Sequence, residues 1–237
     1  MRSALSRVRN AGISFDPGEA HTSSDTSWSS ELAGAADSWL ELLVDGLTFD
    51  LVGLAPGPDV TAPEIEFRID CDKDLDLGDY ELVGLAPGPH LSGGARSLVV
   101  ARALNGLGCN LGKELGTVQG FFWLPSLSVT GPEFFSSSID SWVEGGPFPA
   151  LGLSAFRAAD DGGLESVGLS FFTGQEVVMG KEMVHDLAAS TRLAMRLVHQ
   201  LVMNGKLQEN QIVSGPDGSQ LRLEPSEDGN KVTVTPV

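Results

Sequence analysis

Eight residues of this chain occur twice. Leu51-Val-Gly-Leu-Ala-Pro-Gly-Pro58 recurs unchanged as Leu82-Val-Gly-Leu-Ala-Pro-Gly-Pro89, and each copy follows an aromatic residue and an acid, Phe49-Asp50 and Tyr80-Glu81. Proline lacks an amide donor and glycine tolerates positive φ, so each copy reads as a short buried strand ending in a Pro-Gly-Pro turn. Two copies are too few for a solenoid. Between them, Glu64-Ile-Glu-Phe-Arg-Ile-Asp-Cys71 alternates without a break. Ile65, Phe67, Ile69 and Cys71 fall on one face and Glu64, Glu66, Arg68 and Asp70 on the other, the pattern of a half-buried strand.

Helical spacing takes over elsewhere. Ser29 or Ser30 as N-cap, followed by Leu32, Ala36, Trp39 and Leu43, predicts a helix that stops near Gly46. Leu98, Ala101, Leu104 and Leu107 or Leu111 predict a second over about residues 94–107, with Gly106, Gly108 and Gly112 weakening its C-terminal end. Residues 117–124 read as a strand stopped by Pro125. Pro132 opens a short helix that turns Phe134 or Phe135, Ile139 and Trp142 inward. Residues 150–157 and 164–172 form an antiparallel hairpin around Ala158-Ala-Asp-Asp-Gly-Gly163. Residues 181–204 form a long helix with Met183, Leu187, Ala194, Val198 and Leu201 on one face and Gly205 as the stop. Residues 220–224 and 231–235 pair as a C-terminal hairpin.

These elements predict an α+β fold: a mainly antiparallel central sheet of about six strands with helices packed on one face. Residues 1–28 read as a disordered arm, because Asp16 to Ser30 offers no apolar periodicity to offset the entropy of ordering it. Residues 29–205 form the α+β domain that contains the duplicated unit (51–58 and 82–89), and 206–237 a hairpin extension docked on the body or projecting from it.

Charge narrows the partners. With 32 Asp and Glu against 15 Lys and Arg, the 237-residue chain carries −17. A field of that sign repels phosphate backbones and anionic lipid, so nucleic acid and membrane surfaces are disfavoured and basic proteins or cations favoured. No run of 18 apolar residues occurs that could span a bilayer. Two cysteines, Cys71 and Cys109, are too few for a disulfide framework and suit a reducing cytoplasm as free thiols. The first fourteen residues carry Arg2, Arg7 and Arg9 and no acid, without the apolar core of a secretory signal. Homo-oligomerisation is left open.

Chemistry-bearing residues are sparse. Asp70-Cys-Asp-Lys-Asp-Leu-Asp-Leu-Gly-Asp-Tyr-Glu81 offers Asp70, Asp72, Asp74, Asp76 and Glu81 at an EF-hand-like count suited to calcium. Against that, Leu75 stands where the sharp turn needs glycine, and the flanks read as strands; a solvated turn is the better reading. His185 and His199 share a helix face about 21 Å apart, too far for one metal ion. His21 has no partner in the pattern. His90, after the second Pro-Gly-Pro, lies at a strand end. Glu133 and Glu176, at element edges, could line a pocket with His90, Trp123 and Trp142. No Gly-x-Ser-x-Gly elbow or phosphate-binding glycine loop is present, so no catalytic residue is assigned.

The order of motifs resembles a bacterial family, domain of unknown function four-two-six-one. The resemblance covers roughly residues 80–180. It is carried by Tyr80-Glu-Leu-Val, the helix around Ala95 to Ala103, Gly120-Phe-Phe-Trp-Leu-Pro125, Pro132-Glu-Phe-Phe135, Pro149-Ala-Leu151 and Gly168-Leu-Ser-Phe-Phe-Thr-Gly-Gln-Glu176. It implies a small α+β domain and carries over no reaction. The expectation is therefore a bacterial cytoplasmic, non-enzymatic, acidic protein-binding module without a cofactor, one form of which neutralises a basic partner such as a toxin. The alternatives are an enzyme or small-ligand sensor with a pocket between sheet and helix, and a calcium-stabilised structural module.

Overall fold

The structure is a computed structural model and describes residue 8 and residues 11–14, 40–53, 59–184 and 186–237. Its strands are β1 (Ala11–Ser14), β2 (Leu40–Val44), β3 (Leu47–Val52), β4 (Phe67–Ile69), β5 (Gly84–Pro87), β6 (Phe121–Trp123), β7 (Ser128–Thr130), β8 (Ala155–Ala158), β9 (Leu164–Val167), β10 (Glu176–Met179), β11 (Gln211–Ser214), β12 (Gln220–Pro225) and β13 (Lys231–Pro236). The three long helices are α1 (Leu98–Leu115), α2 (Pro132–Val143) and α3 (Leu187–Asn204). The α+β class holds, and the four- and six-stranded sheets are antiparallel except where β10 meets β13. The chain divides into two compact units: residues 1–64, 70–121 and 130–146, and residues 65–69, 122–129 and 147–237.

The first unit holds the sheet β1-β2-β3-β5 and helices α1 and α2. Its opening corrects the helix expected to end at Gly46: residues 29–39 lie outside the described residues, and Leu40–Val44 is a strand. The cause is local. Asp45 and Gly46 both adopt positive φ (49° and 82°), and Val44 pairs with Leu47, a two-residue hairpin turn whose twist suits antiparallel strands. Leu40, Leu42, Phe49 and Leu51 are then buried, a period of two that leaves Leu43 of the expected helical stripe exposed. The N-terminal arm lies outside the described residues apart from Val8 and Ala11–Ser14, the latter an edge strand paired with β2 rather than disordered chain.

The duplicated octapeptides meet each other. Leu51 and Val52 of the first copy pair with Leu85 and Gly84 of the second. The copies nonetheless differ in conformation. Gly53 ends β3 at φ 82°, where a Cβ would collide with the Leu82 carbonyl oxygen, whereas its equivalent Gly84 begins β5. Residues 54–58, with the first Pro-Gly-Pro, lie outside the described residues; the second copy leaves β5 directly into a 3₁₀ turn at Pro89–Gly94.

Helix α1 starts at the Ser97 cap, whose hydroxyl accepts from the Val100 amide (3.3 Å), and runs past the expected stop to Gly116 in the left-handed conformation. Its glycines do not break it because they allow close approach: a Cβ on Gly112 would lie 2.5 Å from Phe121 Cζ and one on Gly106 3.3 Å from Val143 Cγ2. Helix α2 begins at Pro132 as expected and buries Phe135, Ile139 and Trp142.

The second unit is built on the sheet β11-β12-β13-β10-β9-β8. Leu164, Val177, Met179, Val213, Leu221, Leu223, Val232 and Val234 are buried on one face, and α3 lies against β10 with Ala194, Leu197, Val198, Leu201 and Val202 inward. Each such aliphatic side chain contributes about 1.5–3 kcal/mol when fully buried. The alternate residues Arg157, Lys231, Arg222 and Ile212 stay exposed. The C-terminal hairpin lies within this sheet: β13 is parallel to β10 and antiparallel to β12. Alternation placed both hairpin strands correctly, but a parallel partner 55 residues upstream, Glu176 opposite Lys231, leaves no local signal.

Other boundaries shift for identifiable reasons. Gly152 (φ 104°) breaks the expected strand 150–157, so β8 starts at Ala155; Gly168 (φ 89°) ends β9 before a helical turn, Ser170–Thr173. The β8–β9 hairpin itself forms as expected. Residues 181–204 divide into a 3₁₀ turn (Lys181–Met183) and α3, because Asp186 caps α3 by accepting from the Ala188 amide (3.1 Å). A small sheet, β4-β7-β6, completes the set. The alternation from Glu64 to Cys71 survives in burial, but only Phe67–Ile69 is strand. Glu66 and Phe67 both donate to the Leu127 carbonyl (2.9 and 3.1 Å), a bulge that shortens the ladder.

Candidate functional site

The residues singled out in the sequence fall into both units. In the second unit, Glu176 opens β10 and turns its carboxylate back toward the β9 exit. It accepts from Ser166 Oγ (2.5 Å) and from the backbone amides of Gly168 (3.0 Å), Leu169 (3.2 Å) and Ser170 (2.9 Å). Four donors converge on two oxygens, so the carboxylate staples the turn between β9 and the helical turn at Ser170–Thr173. Ser166 Oγ in turn accepts from the Val177 amide (2.8 Å), which ties the staple into the sheet. Hydrogen bonds to a carboxylate are about twice as strong as neutral ones.

Trp123 is likewise built into the second unit. Its ring stacks on Phe172 (6.2 Å between centroids, 14°) and meets Phe171 edge-on (5.4 Å, 82°), and Phe172 meets Phe148 at 4.9 Å. The indole Nε1 is buried without a hydrogen-bond partner among the described residues. The Phe148 amide donates to His199 Nδ1 (3.1 Å), so His199 fastens α3 to the chain at Phe148. His185 and His21 lie outside the described residues.

In the first unit, Trp142 is 1% exposed and carries the Arg102 guanidinium over its ring at 5.1 Å, a cation–π contact. His90 is exposed in the turn after β5, and Glu133 is exposed in the first turn of α2. Glu133 there complements the helix dipole.

A second polar group in this unit escaped the sequence reading. Cys109 of α1 sits 3.5 Å from Asp140 Oδ1 of α2, and Lys113, one helical turn on, donates to both oxygens of Asp140 (2.7 and 2.5 Å). Burial pushes the Cys109 thiol above its usual range, against the lowering effect of a hydrogen bond from Ser136. A raised thiol is a poor nucleophile. Burial works against the charge on Lys113, but hydrogen bonding to Asp140 outweighs it and holds the ammonium above its usual range. Cys71 is half-buried and Cys109 buried.

The acidic stretch from Asp70 to Glu81 is a chain of turns. Asp72 Oδ1 accepts from the Asp74 amide (3.0 Å) and Asp76 Oδ1 from the Gly78 amide (2.9 Å). Leu75, at the position a calcium loop gives to glycine, is 6% exposed and pins the segment into the first unit. Asp70, Asp72, Asp74, Asp76 and Glu81 are all exposed. Among the described residues no three His, Cys, Asp or Glu side chains are grouped as a metal ion requires. Nor is any helix among them long and apolar enough to cross a membrane.

Comparison with known proteins finds no matching family model, no matching curated protein and no matching solved structure.

Proposed function

We propose that this chain is a non-enzymatic binding module whose acidic surface engages a basic protein, in one form a toxin whose cationic active site it caps. The observation that carries this reading is the presentation of carboxylates in residues 59–64 and 70–81 of the first unit. Asp59, Glu64, Asp70, Asp72, Asp74, Asp76, Asp79 and Glu81 are all exposed, against the single base Lys73, so eight acids less one base leave −7. Buried Leu75 and the turns at Asp72 and Asp76 hold part of that charge in place before any partner arrives. Preorganised charge steers a complementary partner and suppresses like-charged ones.

The side chains that suggested acid–base chemistry support the same reading. Glu176 has four donors, and Trp123 and Trp142 are packed into the cores of their units. A bacterial cytoplasmic setting and the family resemblance belong to this proposal as well.

The test is co-purification from the native host. A basic protein should be retained at low ionic strength and released by salt. The variant Asp70→Asn, Asp74→Asn, Asp79→Asn, Glu81→Gln, which spares the two turn-capping aspartates, should lose it while keeping the wild-type melting temperature. Retention indifferent to both salt and the variant overturns the reading.

A further inference from the structure

The outermost strand of the six-stranded sheet has features of a pairing edge. β11 reads Gln211-Ile-Val-Ser214 and contains no charge and no proline, in a chain of −17. Folded proteins guard exposed edges with charges, prolines or bulges. The opposite edge of the same sheet, β8, carries Arg157; of the two edges of the four-stranded sheet, β5 ends in Pro87 and β1 is likewise free of charge and proline. On β11 only Val213 is buried; Gln211 and Ser214 are exposed, and Ile212 is 57% exposed.

Register fixes which backbone groups face outward. β11 and β12 pair as Gln211↔Leu223, Ile212↔Arg222, Val213↔Leu221 and Ser214↔Gln220, and just beyond them the Gly215 amide donates to the Ser219 carbonyl (2.8 Å). Antiparallel ladders alternate hydrogen-bonded and non-bonded pairs. Gly215, Val213 and Gln211 therefore bond toward β12, while Ile212 and Ser214 turn their N–H and C=O to the open side.

We infer that β11 is a homotypic docking edge, its occupant β11 of a second copy of this chain, antiparallel about a two-fold axis at Ile212. In that register Ile212 exchanges both backbone hydrogen bonds with Ile212 of the other copy, and the two exposed isoleucines cover each other. Gln211 meets Val213, Asn210 meets Ser214 and Glu209 meets Gly215, so no like charges stand opposite. An antiparallel pair of identical strands is self-complementary and closes as a dimer. The contact is small, in the class below about 1,200 Å² that gives weak association. Its salt response is opposite to that of the basic-partner contact: two chains of −17 repel, and added salt screens the repulsion.

Sedimentation velocity of the full chain over a concentration series, at low and high ionic strength, tests this. Wild type should show a monomer–dimer equilibrium that strengthens with salt, and Ile212→Lys should be monomeric throughout with an unchanged melting temperature. Register is tested by cysteine. The Cα atoms of a hydrogen-bonded antiparallel pair lie about 5.5 Å apart, within disulfide reach. Ile212→Cys should therefore give a covalent dimer under oxidised glutathione. Ser214→Cys, whose two copies would stand four residues out of step, about 14 Å apart, should behave as wild type. A wild type monomeric at every concentration and ionic strength overturns the inference, as does a dimer untouched by Ile212→Lys or equal crosslinking by the two cysteine variants. Protection of β11 only when a different protein is added would assign the edge to a foreign peptide and likewise overturn it.

Discussion

Replacing Glu176 by alanine removes an acceptor that serves one hydroxyl and three backbone amides. Gly168 and Leu169 are buried, so their amides lose their acceptor where water has little access; Ser170 is half-buried and recovers a water bond. At about 1–3 kcal/mol for each buried group left unsatisfied, the two amides cost about 2–6 kcal/mol. Loosening of the Ser166 link to Val177 adds to this. We expect a loss of about 4 kcal/mol from the second unit, a large share of the 5–15 kcal/mol that stabilises a typical domain. Glu176→Gln should lose less, about 1–3 kcal/mol, because one oxygen still accepts while the NH₂ faces donors. Urea unfolding followed by tryptophan emission reads this directly, with Trp123, the one tryptophan in that unit, isolated by replacing the other three with phenylalanine. Glu227→Ala, at an exposed carboxylate of the same unit, serves as control and should stay within about 0.5 kcal/mol. A Glu176→Ala variant as stable as that control would refute the staple and return Glu176 to the candidates for chemistry.

Gln175 is 1% exposed and clasps the Leu207 backbone, donating to its carbonyl (3.1 Å) and accepting from its amide (2.7 Å). Gln175→Leu should cost about 2–4 kcal/mol in urea unfolding, from two backbone groups left unpaired. Gly112→Ala should destabilise the first unit by about 1–3 kcal/mol through overpacking against Phe121, despite the roughly 1 kcal/mol that alanine gains over glycine in a helix; a thermal melt gives the sign. Glu165 is held below the usual carboxylate range by the Lys231 hydrogen bond (2.8 Å) and then by Arg157 (3.1 Å). A depressed carboxyl stabilises fully above its unfolded pKa, about 4, and loses that contribution as pH falls through its folded value. Stability measured from pH 7 downward should decline across that acidic window, and Lys231→Met should flatten the decline. Calcium should leave the melting temperature unchanged, since a ligand binding only the folded state must raise it; a rise would restore the metal reading of Asp70 to Glu81.

Alternation and turn chemistry were the legible parts of the fold. The strands β12 and β13, the β8–β9 hairpin and helix α2 stand where residue period, Gly-rich turns and Pro132 put them. The helix expected up to Gly46 failed because the strand buries Leu40 and Leu42 and leaves Leu43, the last residue of the helical stripe, 44% exposed, and the Asp45-Gly46 turn, the signal that decides between the two, is two residues long. Long-range pairing left less trace. Nothing near Lys231 announces its parallel neighbour β10, and nothing in two identical octapeptides announces that they pair with each other in different conformations.

The candidate site was legible only as residue types. Glu176 stands out in the sequence only by its edge position, and three of its four donors are backbone amides that only the turn after Val167 brings together. Likewise the Cys109, Lys113 and Asp140 group spans 31 residues and two helices, with no motif to flag it. Leu75 is the instructive case: where a calcium loop demands glycine, this chain places the one buried residue that anchors an acidic turn.

Carboxyl footprinting of the retained complex goes most directly to the proposed role. Carbodiimide labelling of the free chain and of the chain with its basic partner should show protection at Asp70, Asp72, Asp74, Asp76, Asp79 and Glu81. Asp217 and Asp228, exposed turn residues of the other unit, should label equally in both states. Protection confined to other carboxylates, with residues 70–81 labelled alike in both states, would contradict the assignment of the acidic surface as the binding face.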